Sequence, residues 1–505
     1  MHRRPRVLLV PVVSLTLMWL LAGCLPIPRL QGHLELPTPR YRMAPDAVLS
    51  DYFPVPGARE PHTPTNLDAS YVLRLRADEP ARAVLVLVPG LFGGAGSLEV
   101  LGRQLVAATP GLQVWLWDRR SNALEDHEGF ALARASDDPD VALRYYLGTA
   151  GVPPRYHPPK PADIRFMAYW GLQVHLEDLA AVIERAHRTA ATVYLGGHSL
   201  GASLVALYAA YILPDGRPGA DTIAGLVLLD GAPGRTGTFA LADAVEGRSL
   251  FGYPLVPSLP DLLSGKAVPY LGPGVVPQHI VRSDVIATLA RMRPDALAPR
   301  RLVDYPITDF ALAGVDADDT YSVLPTFTPQ LGEAVGARFS GFIVPFLLEG
   351  SYGARSRSVV GVAPGVRAVT WSPGDPPQPT DLSTYIRSVT GAYTDRSEWY
   401  FPARLLIDIS RLDVGLEHAA GFEPTADVRV PTLAVGAGKG MIRNLDGFAA
   451  YSDARLGSPI ASYVVPGLTH IDLVTARAAP VVTLFQRWSG LPAAAVGVAA
   501  RRRGG

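Results

Sequence analysis

The chain has 505 residues, 46 Lys and Arg against 46 Asp and Glu, and a single cysteine, Cys24. That balance leaves no electrostatic footprint for nucleic acid, and one thiol excludes an internal disulfide and a thiolate metal cage. The length suffices for a large core with an inserted second layer.

Arg3, Arg4 and Arg6 precede an apolar run from Val7 to Leu20, which closes on Leu21-Ala22-Gly23-Cys24. A basic start, an apolar core and a small-residue end predict a secretory signal peptide over 1–23. Pro11 interrupts the run, and a membrane span needs about 20 apolar residues. Leu-Ala-Gly-Cys resembles the bacterial lipobox, which implies cleavage before Cys24 and lipidation of its sulfur. The resemblance places the protein in the bacterial cell envelope, anchored by lipid. Leu25 after the cysteine points to the outer membrane in a Gram-negative source. Residues 24–66, rich in Pro and without sustained period, read as a tether and irregular segment.

Tyr71–Arg76 alternates apolar and polar residues, as an edge or early antiparallel strand does. Ala83–Val88 and Leu112–Trp117 are continuous apolar runs, the pattern of strands buried on both faces. Helical spacing follows over 97–108 and again over about 165–186. Thr192–Leu195 is a short strand, 200–213 a helix, and Ile223–Leu229 another buried strand ending at Asp230-Gly231. This alternation predicts an α/β fold with a mostly parallel sheet flanked by helices. It stops at 232 and resumes with Val430–Val435, Ala461–Val465 and a final helix over about 471–488. Residues 67–231 and 428–490 are therefore two parts of one core, and 232–427 is a cap or lid inserted between them. Residues 491–505, with Arg501 to Arg503, read as a disordered tail.

Gly197-His198-Ser199-Leu200-Gly201 sits where a β-branched strand turns into an Ala/Leu-rich helix. Such a turn strains the serine backbone, and both glycines remove side chains that would clash. The hydroxyl then lies at a helix N-terminus, where developing negative charge is favoured. With Pro89-Gly90-Leu91-Phe92-Gly93-Gly94 before it and Gly467-Leu468-Thr469-His470 after it, the chain resembles the α/β-hydrolase superfamily, on its lipase/esterase side. That likeness covers about 70–235 and 428–490.

A serine hydroxyl needs an imidazole to take its proton. His470, the last of eleven histidines, follows the last strand and fits the chain order that the resemblance implies. His198, beside the nucleophile, reads as a packing residue. For the acid, most relatives place a carboxylate after the strand matching Val430–Val435. Here that stretch is Gly436-Ala437-Gly438-Lys439-Gly440. Some lipases of the superfamily place it one strand earlier, which selects Asp230, with Asp446 as the alternative. Asp472 fixes the histidine loop or caps the final helix. The oxyanion hole falls to the amides of Leu200 and Leu91, with Phe92 as the alternative to Leu91. Asp118-Arg119-Arg120-Ser121-Asn122 ends a strand on the same edge, and forms a salt-bridged loop, orients its neighbours or touches a polar substrate group.

The expected activity is hydrolysis of a small-molecule or lipid carboxylic ester through a Ser199-His470-Asp230 triad and an acyl-enzyme. No metal or organic cofactor is implied, because protein groups fill every role. A peptidase, thioesterase or acyltransferase would use the same triad, and a non-catalytic surface lipoprotein could share the scaffold.

Overall fold

A computed structural model describes residues 37–231, 248–250, 253–273, 276–322, 324–343, 355–391, 396–413, 428–445, 448 and 460–493. Cys24 and Asp446 lie outside these residues. Eight strands form one sheet: β1 (Leu49–Pro56), β2 (Ala69–Arg76), β3 (Ala83–Val88), β4 (Leu112–Asp118), β5 (Thr192–His198), β6 (Gly225–Leu229), β7 (Thr432–Ala437) and β8 (Ile460–Val465). Their spatial order is β1-β2-β4-β3-β5-β6-β7-β8. β2 is antiparallel to both β1 and β4, and every other neighbouring pair is parallel.

β3 and β4 are buried at every position, as strands covered on both faces must be. Helices α1 (Glu99–Ala108), α2 (Leu172–His187) and α3 (Leu200–Ala210) belong to the first part of the core. After β6 come α4 (Val276–Met292), α5 (Asp309–Ala317), α6 (Leu382–Val389) and α7 (Ala403–Asp413), and after β8 comes α8 (Pro480–Ser489). Leu101 and Leu105 of α1 and Val481 and Phe485 of α8 pack with Leu85, Leu87 and Leu116 on one face. Leu176 and Leu179 of α2 and Val205 of α3 pack with Val84, Val86 and Leu195 on the other. This is an α/β-hydrolase fold: a mostly parallel sheet, helices on both faces, and an insertion after β6 that adds no strand to the sheet among the described residues.

The inserted layer has apolar centres of its own. Ile286, Leu312, Leu331 and Ile386 form one cluster. Val281 and Val285 of α4 join Trp399 and Tyr400 in a second cluster, which also takes Phe130, Tyr146 and Tyr156 from the β4–α2 connection. The covering layer therefore draws on two stretches of sequence.

Three elements differ from their sequence patterns. Residues 49–56, within the stretch read as tether and irregular segment, form the edge strand β1. It carries Pro54 and Pro56, which an edge tolerates, and it is mostly half exposed, so no burial alternation marks it. The predicted helix over 165–186 begins only at Leu172, after Gly171, with 161–169 wound as 3-10 turns. The final helix is split into Asp472–Thr475 and α8, because Pro480 cannot continue a helix but suits the first turn of a new one.

Candidate active site

The strand-to-helix turn between β5 and α3 holds Ser199 at φ 58° and ψ −126°. A non-glycine residue there stores about 1–3 kcal/mol of strain, held by the surrounding packing. The turn tolerates no side chain at its flanking glycines. A Cβ on Gly197 would lie 2.1 Å from Gly201 O, and one on Gly201 would lie 2.2 Å from Val88 O. Ser199 N donates to Leu229 O at 2.9 Å, which ties the turn to the end of β6.

Asp230 follows β6 with φ 43° and is fully buried. Its Oδ2 accepts from His470 Nδ1 at 2.6 Å and from Met441 N at 2.8 Å. Its Oδ1 accepts from the amides of Ala437 and Ile442, each at 2.9 Å. Burial pushes this carboxyl upward. The hydrogen bond and charge of His470, with the amides of Ala437 and Met441, outweigh that and hold it below the ordinary aspartate value. The glycine-rich stretch Gly436–Gly440 after β7 carries no carboxylate of its own and instead wraps the one arriving from β6. Gly440 is required there, since a Cβ on it would fall 2.1 Å from Asp230 Oδ2.

His470 is buried at the end of a loop that turns at Gly467 (φ 79°). The inserted layer frames it: His470 N donates to Thr326 O at 2.9 Å, and the Phe327 ring stands edge-on with centroids 5.2 Å apart. Asp472 fastens the same loop. It accepts from Thr469 N and Oγ1, from Gln330 N and Nε2, and from Thr380 Oγ1. His198 packs against His470 with ring centroids 4.2 Å apart and bonds His470 O through Nε2 at 3.0 Å. Burial holds His198 well below the ordinary histidine value, with the charge of His470 adding to the effect, which suits a packing role.

The Ser199 hydroxyl faces Met441 Sδ at 3.9 Å and makes no direct hydrogen bond to His470. The turn after β3 lies against Ser199, since a Cβ on Gly90 would come within 2.8 Å of Ser199 Cβ. Among the described residues, no carbonyl or side chain accepts from the amides of Leu91 or Leu200. Gly93 bridges to Ser397, Gly94 N donates to Arg396 O, and Glu398 N donates to Phe92 O, so the inserted layer also grips this turn.

In the loop after β4, Arg119 and Arg120 are fully buried. Arg120 pairs with Asp178 at 2.6 Å and with Asp68 at 3.1 Å. Arg119 pairs with Glu398 at 2.7 Å. The loop is thus a salt-bridged support, and neither guanidinium reaches solvent. Met441, Phe327 and Gly440 carried no signal in the sequence, because nothing local to them shows which distant residue they will meet. Among the described residues, no group of three or more His, Cys, Asp and Glu is disposed to hold a metal ion. No helix among them is long and apolar enough to cross a membrane.

No family model and no curated protein matches this chain. Among solved structures it is similar to a candidate lipase from Sulfolobus solfataricus, at 15% identity and TM-score 0.46, covering 90% of this chain and 98% of that one. It is similar to an epoxide hydrolase from an endophytic Streptomyces, at 15% identity and TM-score 0.38, covering 88% and 96%. A thermophilic esterase from Thermogutta terrifontis matches at 12% identity and TM-score 0.36, covering 87% and 98%. Likenesses this distant carry no argument beside the chain's own topology and site geometry.

Proposed function

We propose that the protein is a serine hydrolase of carboxylic esters, lipase- or esterase-like, acting through an acyl-enzyme. The observation that carries this reading is a strained elbow serine on the sheet edge that also presents the buried His470–Asp230 pair. The reaction requires a rotation about the Ser199 Cα–Cβ bond that turns Oγ from Met441 toward His470. His470 Nε2 takes the hydroxyl proton as Oγ attacks the ester carbonyl, while Asp230 holds the Nδ1–H and stabilises the imidazolium. The Leu91 and Leu200 amides receive the oxyanion. His470 then protonates the departing alcohol, and water releases the acyl group by the reverse steps. Met441 and Phe327 border the reacting groups with apolar surface that suits an acyl chain.

The proposal includes a lipid anchor on Cys24 that holds the enzyme at a bacterial envelope membrane. Cys24→Ser should abolish incorporation of labelled palmitate and release activity into the soluble fraction. A fluorophosphonate probe tests the chemistry: it should label the wild type and leave Ser199→Ala unlabelled. A folded wild type that does not react would overturn the assignment.

A further inference from the structure

We infer that Arg119 is a positioning residue that aims the oxyanion amide of Leu91, with Glu398 of the inserted layer as its counter-ion; this rests on the hydrolase reading above. Arg119 Nη2 donates to Pro89 O at 2.6 Å and to Gly90 O at 3.2 Å. Its Nη1 donates to Glu398 Oε2 at 2.7 Å and reaches Gly93 O at 3.4 Å. Three carbonyls of one short turn are thereby drawn onto a single cation.

The consequence follows from the planar trans peptide. The carbonyl of one residue and the N–H of the next point in opposite directions. Fixing Gly90 O toward Arg119 therefore turns the Leu91 N–H away from it. Gly90 itself abuts Ser199, as the 2.8 Å approach of a built Cβ shows. The cation thus sets the direction of a donor beside the nucleophile without touching substrate.

The support is rigid and dry. The rings of Trp117 and Phe401 lie 5.7 Å and 5.2 Å from the guanidinium carbon, and both Arg119 and Glu398 are fully buried. Glu398 is held on three sides: Oε2 by Arg119, Oε1 by a short hydrogen bond from Ser121 Oγ, and its backbone by Phe92 O at 2.8 Å. A lysine at 119 would keep the charge but could not span Pro89 O, Gly90 O and Glu398 with a planar fork. The residues that form this unit come from three separated stretches, after β3, after β4 and before α7. The inserted layer is therefore part of the catalytic frame as well as its cover.

The experiment compares full-length wild type, Arg119→Lys, Glu398→Gln, Glu398→Ala and Ser121→Ala. Readouts are p-nitrophenyl butyrate kinetics, inhibition by phenylboronic acid, whose serine adduct is tetrahedral, and thermal unfolding. Arg119→Lys should lose about 10- to 100-fold in kcat with KM within about threefold, and boronate affinity should fall in step with kcat. Glu398→Gln, which keeps the shape and an acceptor, should retain more kcat than Glu398→Ala. A variant that melts below the assay temperature is replaced in the comparison by Glu398→Gln and Ser121→Ala, which perturb the same unit more gently. Unchanged kcat and boronate affinity in folded variants overturn the positioning role. So does a loss confined to KM or to melting temperature. A wild type that neither hydrolyses ester nor takes the fluorophosphonate overturns the hydrolase reading instead, so the two failures are distinguishable.

Discussion

His470 Nδ1 lies 2.6 Å from Asp230 Oδ2, although the two residues follow strands that are not neighbours. Asp230 ends β6, His470 follows β8, and β7 runs between them. The carboxylate reaches across the end of β7, and the loop there donates three amides to it instead of contributing an acid of its own.

Asp230→Asn keeps the side-chain shape but offers the imidazole a poorer partner and no charge. Ester hydrolysis should fall by about 10³- to 10⁴-fold in kcat. Asp446→Ala should stay near wild type. Steady-state kinetics on both variants check this, and the reverse order would move the acid to Asp446.

Gly440→Ala places a methyl group 2.1 Å from where Asp230 Oδ2 now lies. The carboxylate must shift, and His470 with it. A displacement of about 1 Å should cost roughly 100-fold in kcat, and the overpacking should cost about 1–3 kcal/mol in denaturant unfolding. Full activity in this variant would show that the Asp230 contact is dispensable.

Asp472 gathers five hydrogen bonds from the histidine loop and the inserted layer at a fully buried position. Asp472→Ala leaves the buried amides of Gln330 and Thr469 without their acceptor and should cost roughly 2–4 kcal/mol in denaturant unfolding. Ester hydrolysis should fall as well, because Gln330 and Thr469 hold the His470 loop.

His175 on α2 is fully buried, with Nδ1 bonded to Gly171 O at 2.7 Å. Burial depresses it to about 3 against the hydrogen bond to Gly171, with the charges of Arg119 and Arg120 adding to the depression. A folded value below the unfolded 6.5 means that its stabilising effect is complete above pH 6.5 and is lost as pH falls toward 3. Over that window the wild type should lose up to about 1.4 kcal/mol per pH unit more than His175→Asn. Parallel urea melts from pH 7 to 4 check the slope, and equal slopes would remove His175 from the account.

The sequence by itself determined the parallel core, the interruption after β6, the serine at the elbow and the late histidine. Each is written in local order: continuous apolar runs mark strands buried on both faces, and Gly-x-Ser-x-Gly marks a turn that only small flanking residues permit. The edge strand β1 escaped because it is half exposed and carries prolines. The split of the last helix was written in Pro480 but masked by the apolar spacing on either side. Only the tertiary structure brought the glycine-rich stretch after β7 around Asp230, Phe327 against His470, and Arg119 onto Glu398. These relations join residues more than a hundred positions apart, and no local pattern encodes which distant partner will fill a buried carboxylate's hydrogen bonds or neutralise a buried cation. Topology makes that choice, because packing the sheet and the inserted layer leaves each buried polar group one set of partners within reach.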